Sequence, residues 1–236
     1  METIGRPRTG SLAAVLFDLD GVLADTEPLN AEAYLRAFRS LGVAVEASAF
    51  RRAVLVDGKR VTELFGELGG RASVEELYRA KDALFLGELG AHLRPRDGIE
   101  PLLAELVAAH VPCGVVTTSR RVNVDFILAR FGWADRFDVV VSLEDVLHPK
   151  PDPEPYRLAL RRLDVPATNV AAVEDSPHGV RAAAAAGLTV VGAPAADTPG
   201  IGLPGAHLVV TDLRDLTLVR LEALMDAESH SGSADH

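Results

Sequence analysis

Cysteine is nearly missing from this 236-residue chain: Cys113 stands alone. No internal disulfide can form, and a reducing, cytoplasmic setting is the expected home. Long apolar runs are missing too. The longest, such as Leu12 to Phe17, fall far short of the roughly 20 residues that a membrane span needs. Met1 to Gly10 carries two arginines with no apolar stretch behind them long enough for a signal peptide. Basic charge is in deficit, with 24 Lys+Arg against 34 Asp+Glu and a formal net charge of −10. That is the wrong sign for a protein that grips nucleic acid by its phosphates. No glycine fingerprint follows the first apolar run, which argues against a dinucleotide-dependent dehydrogenase.

What is present is the composition of a folded globule, 48% hydrophobic and 25% charged, too apolar for intrinsic disorder. The length suits one large domain or a core with a modest insert. Six short apolar runs recur along the chain: Ala13–Phe17, Cys113–Thr117, Phe137–Val141, Val170–Val173, Leu188–Val191 and His207–Val210. Each is rich in Val, Ala or Leu and ends in polar or turn residues, as buried parallel strands do. Pro101–His110, Val122–Phe131, Pro155–Leu163 and Gly179–Ala186 have the spacing of crossover helices. An α/β fold with a parallel sheet follows.

One stretch departs from this rhythm. Between the first strand and Pro95, helical spacing recurs over Leu29–Leu41, Val61–Leu68 and Val74–Leu89, and no run reads as a strand. Residues 27–95 hold ten Lys+Arg and ten Asp+Glu, so the insert is neutral and the rest of the chain carries the whole −10. The expected organisation is a catalytic core over 1–26 and 96–228, a helical insert over 27–95 and a loose polar tail over 229–236. Arg79 and Lys81 on the third insert helix read as a charged surface face.

The chemistry gathers where strands end. The first strand delivers Asp18-Leu19-Asp20-Gly21, two carboxylates at i and i+2 with a glycine turn behind them. Ligands of parallel sheets bind at the carboxyl ends of strands, and paired acids divide labour as nucleophile and proton carrier. The second core strand ends in Thr117-Thr118-Ser119, a hydroxyl-rich turn before a helix that suits a phosphate oxyanion. Lys150, one of three lysines against 21 arginines, lies in a proline-stiffened loop. The strand Val170–Val173 ends in Glu174-Asp175. Carboxylates gathered in one pocket need a counter-charge, and with no His or Cys among them the fitting cation is hard, Mg²⁺ rather than Zn²⁺.

In their order and strand-end placement, Asp18-Leu19-Asp20-Gly21-Val22, Thr117, Lys150 and Glu174-Asp175 resemble the four motifs of the haloacid dehalogenase-like superfamily, over roughly residues 12–212. Asp25-Thr26-Glu27, Lys150-Pro151-x-Pro153 and Glu174-Asp175-Ser176-Pro177-x-Gly179 are similar to the branch that holds β-phosphoglucomutase and small sugar-phosphate phosphatases. The resemblance implies a Rossmann-like three-layer core with an inserted helical cap and the site between them. It implies Asp18 as the nucleophile that becomes an aspartyl phosphate, and Asp20 as the general acid and base. Thr117, Thr118 and Lys150 would hold phosphoryl oxygens. Mg²⁺ would be bound by Asp18, the Asp20 main-chain carbonyl, Glu174 and Asp175. Lys59 and Arg60 fall in the family's substrate-specificity loop and imply a second anionic group on the substrate. Asn30 falls where the mutase keeps a histidine, and an amide cannot carry that proton. The expected function is a Mg²⁺-dependent phosphatase of a small phosphorylated metabolite. Xylulose 1,5-bisphosphate, a hexose 6-phosphate and phosphoglycolate are all open as substrates. A phosphosugar mutase is the alternative, and a non-catalytic binding protein of the same fold the remote one. The chain is expected to act as a monomer or homodimer.

Overall fold

In the computed structural model, which describes residues 12–195 and 202–231, the six apolar runs become six strands. They are β1 (Ala14–Phe17), β2 (Cys113–Val116), β3 (Val139–Val141), β4 (Val170–Glu174), β5 (Thr189–Gly192) and β6 (Leu208–Val209). All adjacent pairs run parallel, in the order β3-β2-β1-β4-β5-β6. Helices α1 (Glu27–Ser40), α2 (Ala47–Arg51), α3 (Val61–Glu67) and α4 (Val74–Gly87) lie between β1 and β2 in the chain. They are followed by α5 (Ile99–Ala108), α6 (Arg121–Phe131), α7 (Glu154–Leu163), α8 (Pro177–Ala185) and α9 (Leu218–Ser231). The sheet grows one way from β1 through β2 and β3, then the other way from β4. Right-handed crossovers therefore place α5 and α6 on one face and α7 and α8 on the opposite face.

Strand alternation decides which side chains meet which layer. Ala14 and Leu16, Ala172 and Val170, and Val190 pack with Tyr156, Ala159 and Leu160 of α7 and with Val180, Ala182 and Ala183 of α8. Gly114 of β2 keeps the sheet close-packed there, since a Cβ would collide with Leu16 and Val139. In register, Phe17 sits opposite Val173 of β4 and Val115 of β2. The reversal of strand order thus falls between β1 and β4, where a doubly wound sheet opens its binding crevice.

The chain divides into two compact units, Met1–Leu23 with Pro95–His236, and Ala24–Arg94. The first crossing falls after Leu23 rather than after residue 26, because the Asp25 N–H donates to the Arg94 carbonyl at 3.0 Å and belongs with the insert. That helical unit is built around Phe38, whose ring lies 5.8 Å from Phe50 and 5.0 Å from Phe65. Two of its features differ from expectation. Lys81 is buried rather than on a surface face, with its ammonium 4.5 Å from the Phe85 ring and 3.7 Å from Asp82. Short α2 continues into a π-helical turn over Arg52–Val56, where no helix was foreseen.

The tail expected from residue 229 is helical as far as Ser231, as part of α9, whose Leu221 and Met225 are buried; residues 232–236 lie outside the described ones. The N-terminal tail expected over Met1 to Gly10 also lies outside them. Cys113 is buried at the start of β2, and burial, with Asp138 nearby, pushes its thiol up to about 12. It is packing, not a nucleophile. Among the described residues, no helix is long and apolar enough to cross a membrane.

Candidate active site

The pairing of β1 with β4 continues one residue past the strand: the Asp18 N–H donates to the Val173 carbonyl at 3.0 Å. This sets the Asp18 carboxylate beside the end of β4, where Glu174 and Asp175 emerge. The chain then turns through Gly21 at φ +76°, a left-handed backbone conformation. A Cβ on Gly21 would overlap Asp175 Oδ2, so only glycine lets the β1 loop pass this close to the β4 loop. Arg96 fastens the same turn. Its guanidinium donates to the carbonyls of Gly21, Ala193 (2.8 Å) and Pro194 (2.5 Å).

Asp20 faces the hydroxyls of the β2 loop. Ser119 Oγ donates to Asp20 Oδ2 at 2.6 Å, and Thr117 Oγ1 lies 3.4 Å from the same oxygen. Thr117 in turn accepts from the Ser119 N–H at 3.0 Å, and its own N–H donates to Val141 of β3 at 2.9 Å. The hydroxyl turn is therefore fixed by the sheet before it meets Asp20. Thr118 is exposed. Ser119, which holds Asp20, was not among the expected site residues; the run of three hydroxyls was visible, but which of them turns inward was not.

Lys150 joins the two acidic loops. Its ammonium donates to Asp18 Oδ1 at 2.7 Å, to Glu174 Oε1 at 2.5 Å and to the Val116 carbonyl at 2.7 Å. Tyr156 of α7, wholly buried, donates its hydroxyl to the same Glu174 Oε1, and its ring lies 5.2 Å from the ammonium. No sequence signal marked it, since an apolar-face Tyr on a crossover helix reads as core. Burial raises the Asp18 carboxyl to about 8 despite the pull of Lys150, with Glu174 and Asp20 adding like charge. Burial alone would lower Lys150, but Asp18 and Glu174 outweigh it and hold the ammonium above its ordinary range. Burial, then the charge of Glu174, holds the Tyr156 hydroxyl well above its usual value, so it serves only as a donor there.

These residues fit a divalent cation. Asp18, Glu174 and Asp175 each offer an oxygen, and the three lie within 4.8 Å of one another. The donor set is all carboxylate, the choice of a hard cation. Glu174 Oε2 is buried without a hydrogen-bond partner, an expensive condition for a carboxylate unless something else completes it. Gly179 at the start of α8 makes room for that carboxylate, because a Cβ there would overlap Oε2.

The residues expected to contact the rest of the substrate belong to the helical unit. Asn30 sits in the first turn of α1 and is half-buried. Lys59 is committed to Glu67 at 2.6 Å. Arg60, just before α3, is exposed.

A family model described as haloacid dehalogenase-like hydrolase matches residues 15–193. Protein CbbY of Cereibacter sphaeroides is 34% identical over 216 residues, covering 87% of this chain and 94% of that protein. A validoxylamine A 7'-phosphate phosphatase of Streptomyces hygroscopicus subsp. limoneus is 33% identical over 190 residues, covering 75% and 83%. Among solved structures, a CbbY variant from Rhodobacter sphaeroides in complex with xylulose-(1,5)bisphosphate superposes with a TM-score of 0.79 at 32% identity, covering 88% of this chain and 98% of that one.

Proposed function

This chain belongs to the haloacid dehalogenase-like hydrolase family, and from that premise we propose that it hydrolyses a small sugar phosphate through an aspartyl phosphate on Asp18, with Mg²⁺ as its cation. It is a phosphoric monoester hydrolase. The observation that carries the finer reading is the contrast between two acids two residues apart. Asp18 is buried against the cation Lys150, while Asp20 is half-exposed and held by hydroxyls. Two carboxylates in different surroundings take different roles.

Asp18 attacks phosphorus, so that a bond forms between its carboxylate oxygen and phosphorus as the bond to the sugar oxygen breaks. Asp20 gives its proton to the leaving sugar oxygen. It then takes a proton from the water that opens the aspartyl phosphate, which restores Asp18 and releases phosphate. Lys150 and Thr117 hold phosphoryl oxygens, and the Ser119 hydroxyl keeps Asp20 on the side of the leaving group. Asp18, Asp175, Glu174 and the Asp20 carbonyl are the oxygens that would hold Mg²⁺, whose chemistry here is to offset the charge of the phosphoryl group.

Asn30 cannot exchange a proton at neutral pH, which favours release of phosphate over its return to a bisphosphate. Exposed Arg60 suits a second phosphate, and xylulose-(1,5)bisphosphate in the related CbbY crystal puts sugar bisphosphates first among substrates. The test is Mg²⁺-dependent phosphate release across sugar mono- and bisphosphates, with β-glucose 1-phosphate included and isomerised product followed in parallel. Free phosphate from one preferred substrate supports the phosphatase. Glucose 6-phosphate formed without phosphate release would replace it with a mutase.

A further inference from the structure

The two oxygens of Glu174 are treated unequally. Oε1 accepts from the Lys150 ammonium at 2.5 Å and from the Tyr156 hydroxyl. Oε2 is buried and accepts from nothing among the described residues. Rotation of the carboxylate is opposed on one side by the Gly179 backbone, packed close enough that a Cβ would overlap both oxygens. On the other side it is opposed by two donors that share a single oxygen. Lys150 also serves Asp18 and the Val116 carbonyl. Tyr156, wholly buried on α7, spends its hydroxyl on this one acceptor.

We propose that Tyr156 is a positioning residue: by holding Glu174 Oε1 it leaves Oε2 as the single oxygen that Glu174 presents to a divalent cation, and so favours Mg²⁺ over Ca²⁺. The inference rests on the metal-dependent reading above. Mg²⁺ requires compact, near-octahedral coordination with one oxygen per carboxylate. Ca²⁺ accepts more ligands and takes carboxylates through both oxygens. A Glu174 released from Tyr156 keeps only Lys150 on Oε1 and is held less firmly against turning both oxygens toward a larger ion. Partners one layer behind metal ligands commonly tune affinity in this way.

The experiment is calorimetric titration of the full-length protein with Mg²⁺ and with Ca²⁺, in the absence of substrate. Tyr156→Phe keeps the buried ring and removes only the hydroxyl. It should raise the Mg²⁺ Kd about tenfold or more, while the Ca²⁺ Kd moves less than about threefold, because Ca²⁺ gains from the freed carboxylate. An unchanged Mg²⁺ Kd, or equal rises for both ions, overturns the inference. A second comparison is made in Glu174→Gln, where the added Tyr156→Phe should weaken Mg²⁺ no further. A further loss of about tenfold would show that Tyr156 acts elsewhere and overturns it too. The failure of the underlying reading is distinct: a wild-type protein that takes up no Mg²⁺ overturns the metal assignment itself, whatever the variants do.

Discussion

Asp145 and Glu174 are both carboxylates ringed by donors, and they are finished differently. Around Asp145 both oxygens are used. Oδ2 accepts from the N–H and hydroxyl of Ser142, each at 2.8 Å, and from Arg121 at 2.6 Å. Oδ1 accepts from Arg162 at 2.9 Å. Burial works to raise this carboxyl, but Ser142, Arg162 and Arg121 outweigh it and hold it well below the usual carboxylate range. Asp145 thus links the loop after β3 to α6 and α7 and leaves nothing to react. Glu174 is the more deeply buried of the two and keeps an oxygen without a partner, while its neighbour Asp18 is pushed up. A saturated acid reads as structure. An unsaturated one, buried beside two more carboxylates, reads as a place prepared for something that binds.

The largest expected effect breaks the functional side of that contrast. Asp18→Asn removes the proposed nucleophile while keeping its size, so turnover should fall by about 10⁴-fold or more with the melting temperature nearly unchanged. Turnover within about tenfold of wild type, measured on the preferred sugar phosphate, would remove Asp18 from the chemistry. Next in size is Gly179→Ala, which sets two principles against each other. In a helix Ala is favoured over Gly by about 1 kcal/mol. Here its Cβ would overlap Glu174 Oε2, and overpacking of that kind costs about 1–3 kcal/mol. The variant should melt lower than wild type and bind Mg²⁺ more weakly. A higher melting temperature with Mg²⁺ affinity intact would show that the carboxylate moves aside freely.

Some of this contrast was legible in the chain and some was not. The apolar runs gave the strands because Val and Ala repeats flanked by turn residues have few other uses, and the acids at their ends followed from position alone. Asp18, Asp20, Thr117, Lys150, Glu174 and Asp175 were therefore nameable before any coordinates. Ser119 and Tyr156 were not, since each acts through a contact between segments far apart in the chain, 99 and 18 residues respectively. Lys81 was misplaced for the same reason: its burial needs α1 and α4 packed together, with the rings of Tyr34 and Phe85 beside its ammonium. Five-residue α2 buries only Phe50, too little to give a helical period. Which carboxylate is saturated and which is not is a three-dimensional property throughout.

The structural side of the contrast is tested by Asp145→Asn. It should cost about 2 kcal/mol of stability at pH 7, the scale of a lost charged hydrogen-bond set, with activity per folded molecule nearly unchanged. The sign with pH follows from the direction of the shift. A carboxyl held below its unfolded value contributes stability that is fully present above that value, near 3.9, and is lost as pH falls through the folded one. The gap between wild type and variant should therefore be widest near neutrality and shrink below about pH 4. Urea denaturation at pH 7 and at pH 3 measures it, and an equal gap at both would show that charge on Asp145 is not what stabilises the loop.

The smallest effect concerns the helical unit, where a similar distinction separates two cations. Lys59 is committed to Glu67 at 2.6 Å, whereas Arg60 is exposed and takes part in the fold through its carbonyl, which accepts from the Leu64 N–H. By the logic of Asp145 and Glu174, the committed cation is proposed to be structural and the uncommitted one to be the contact for substrate. Arg60→Ala should raise KM for a sugar bisphosphate by about tenfold, the worth of one exposed charge-assisted contact, and leave KM for the matching monophosphate within about twofold. Lys59→Ala should affect both substrates alike and by less. Steady-state kinetics on the two substrates gives the answer as a ratio, which cancels any general loss of folded enzyme. Equal changes for both substrates in Arg60→Ala would make Arg60 a solvated surface charge, and would leave the second anionic group of the substrate to be recognised by other residues.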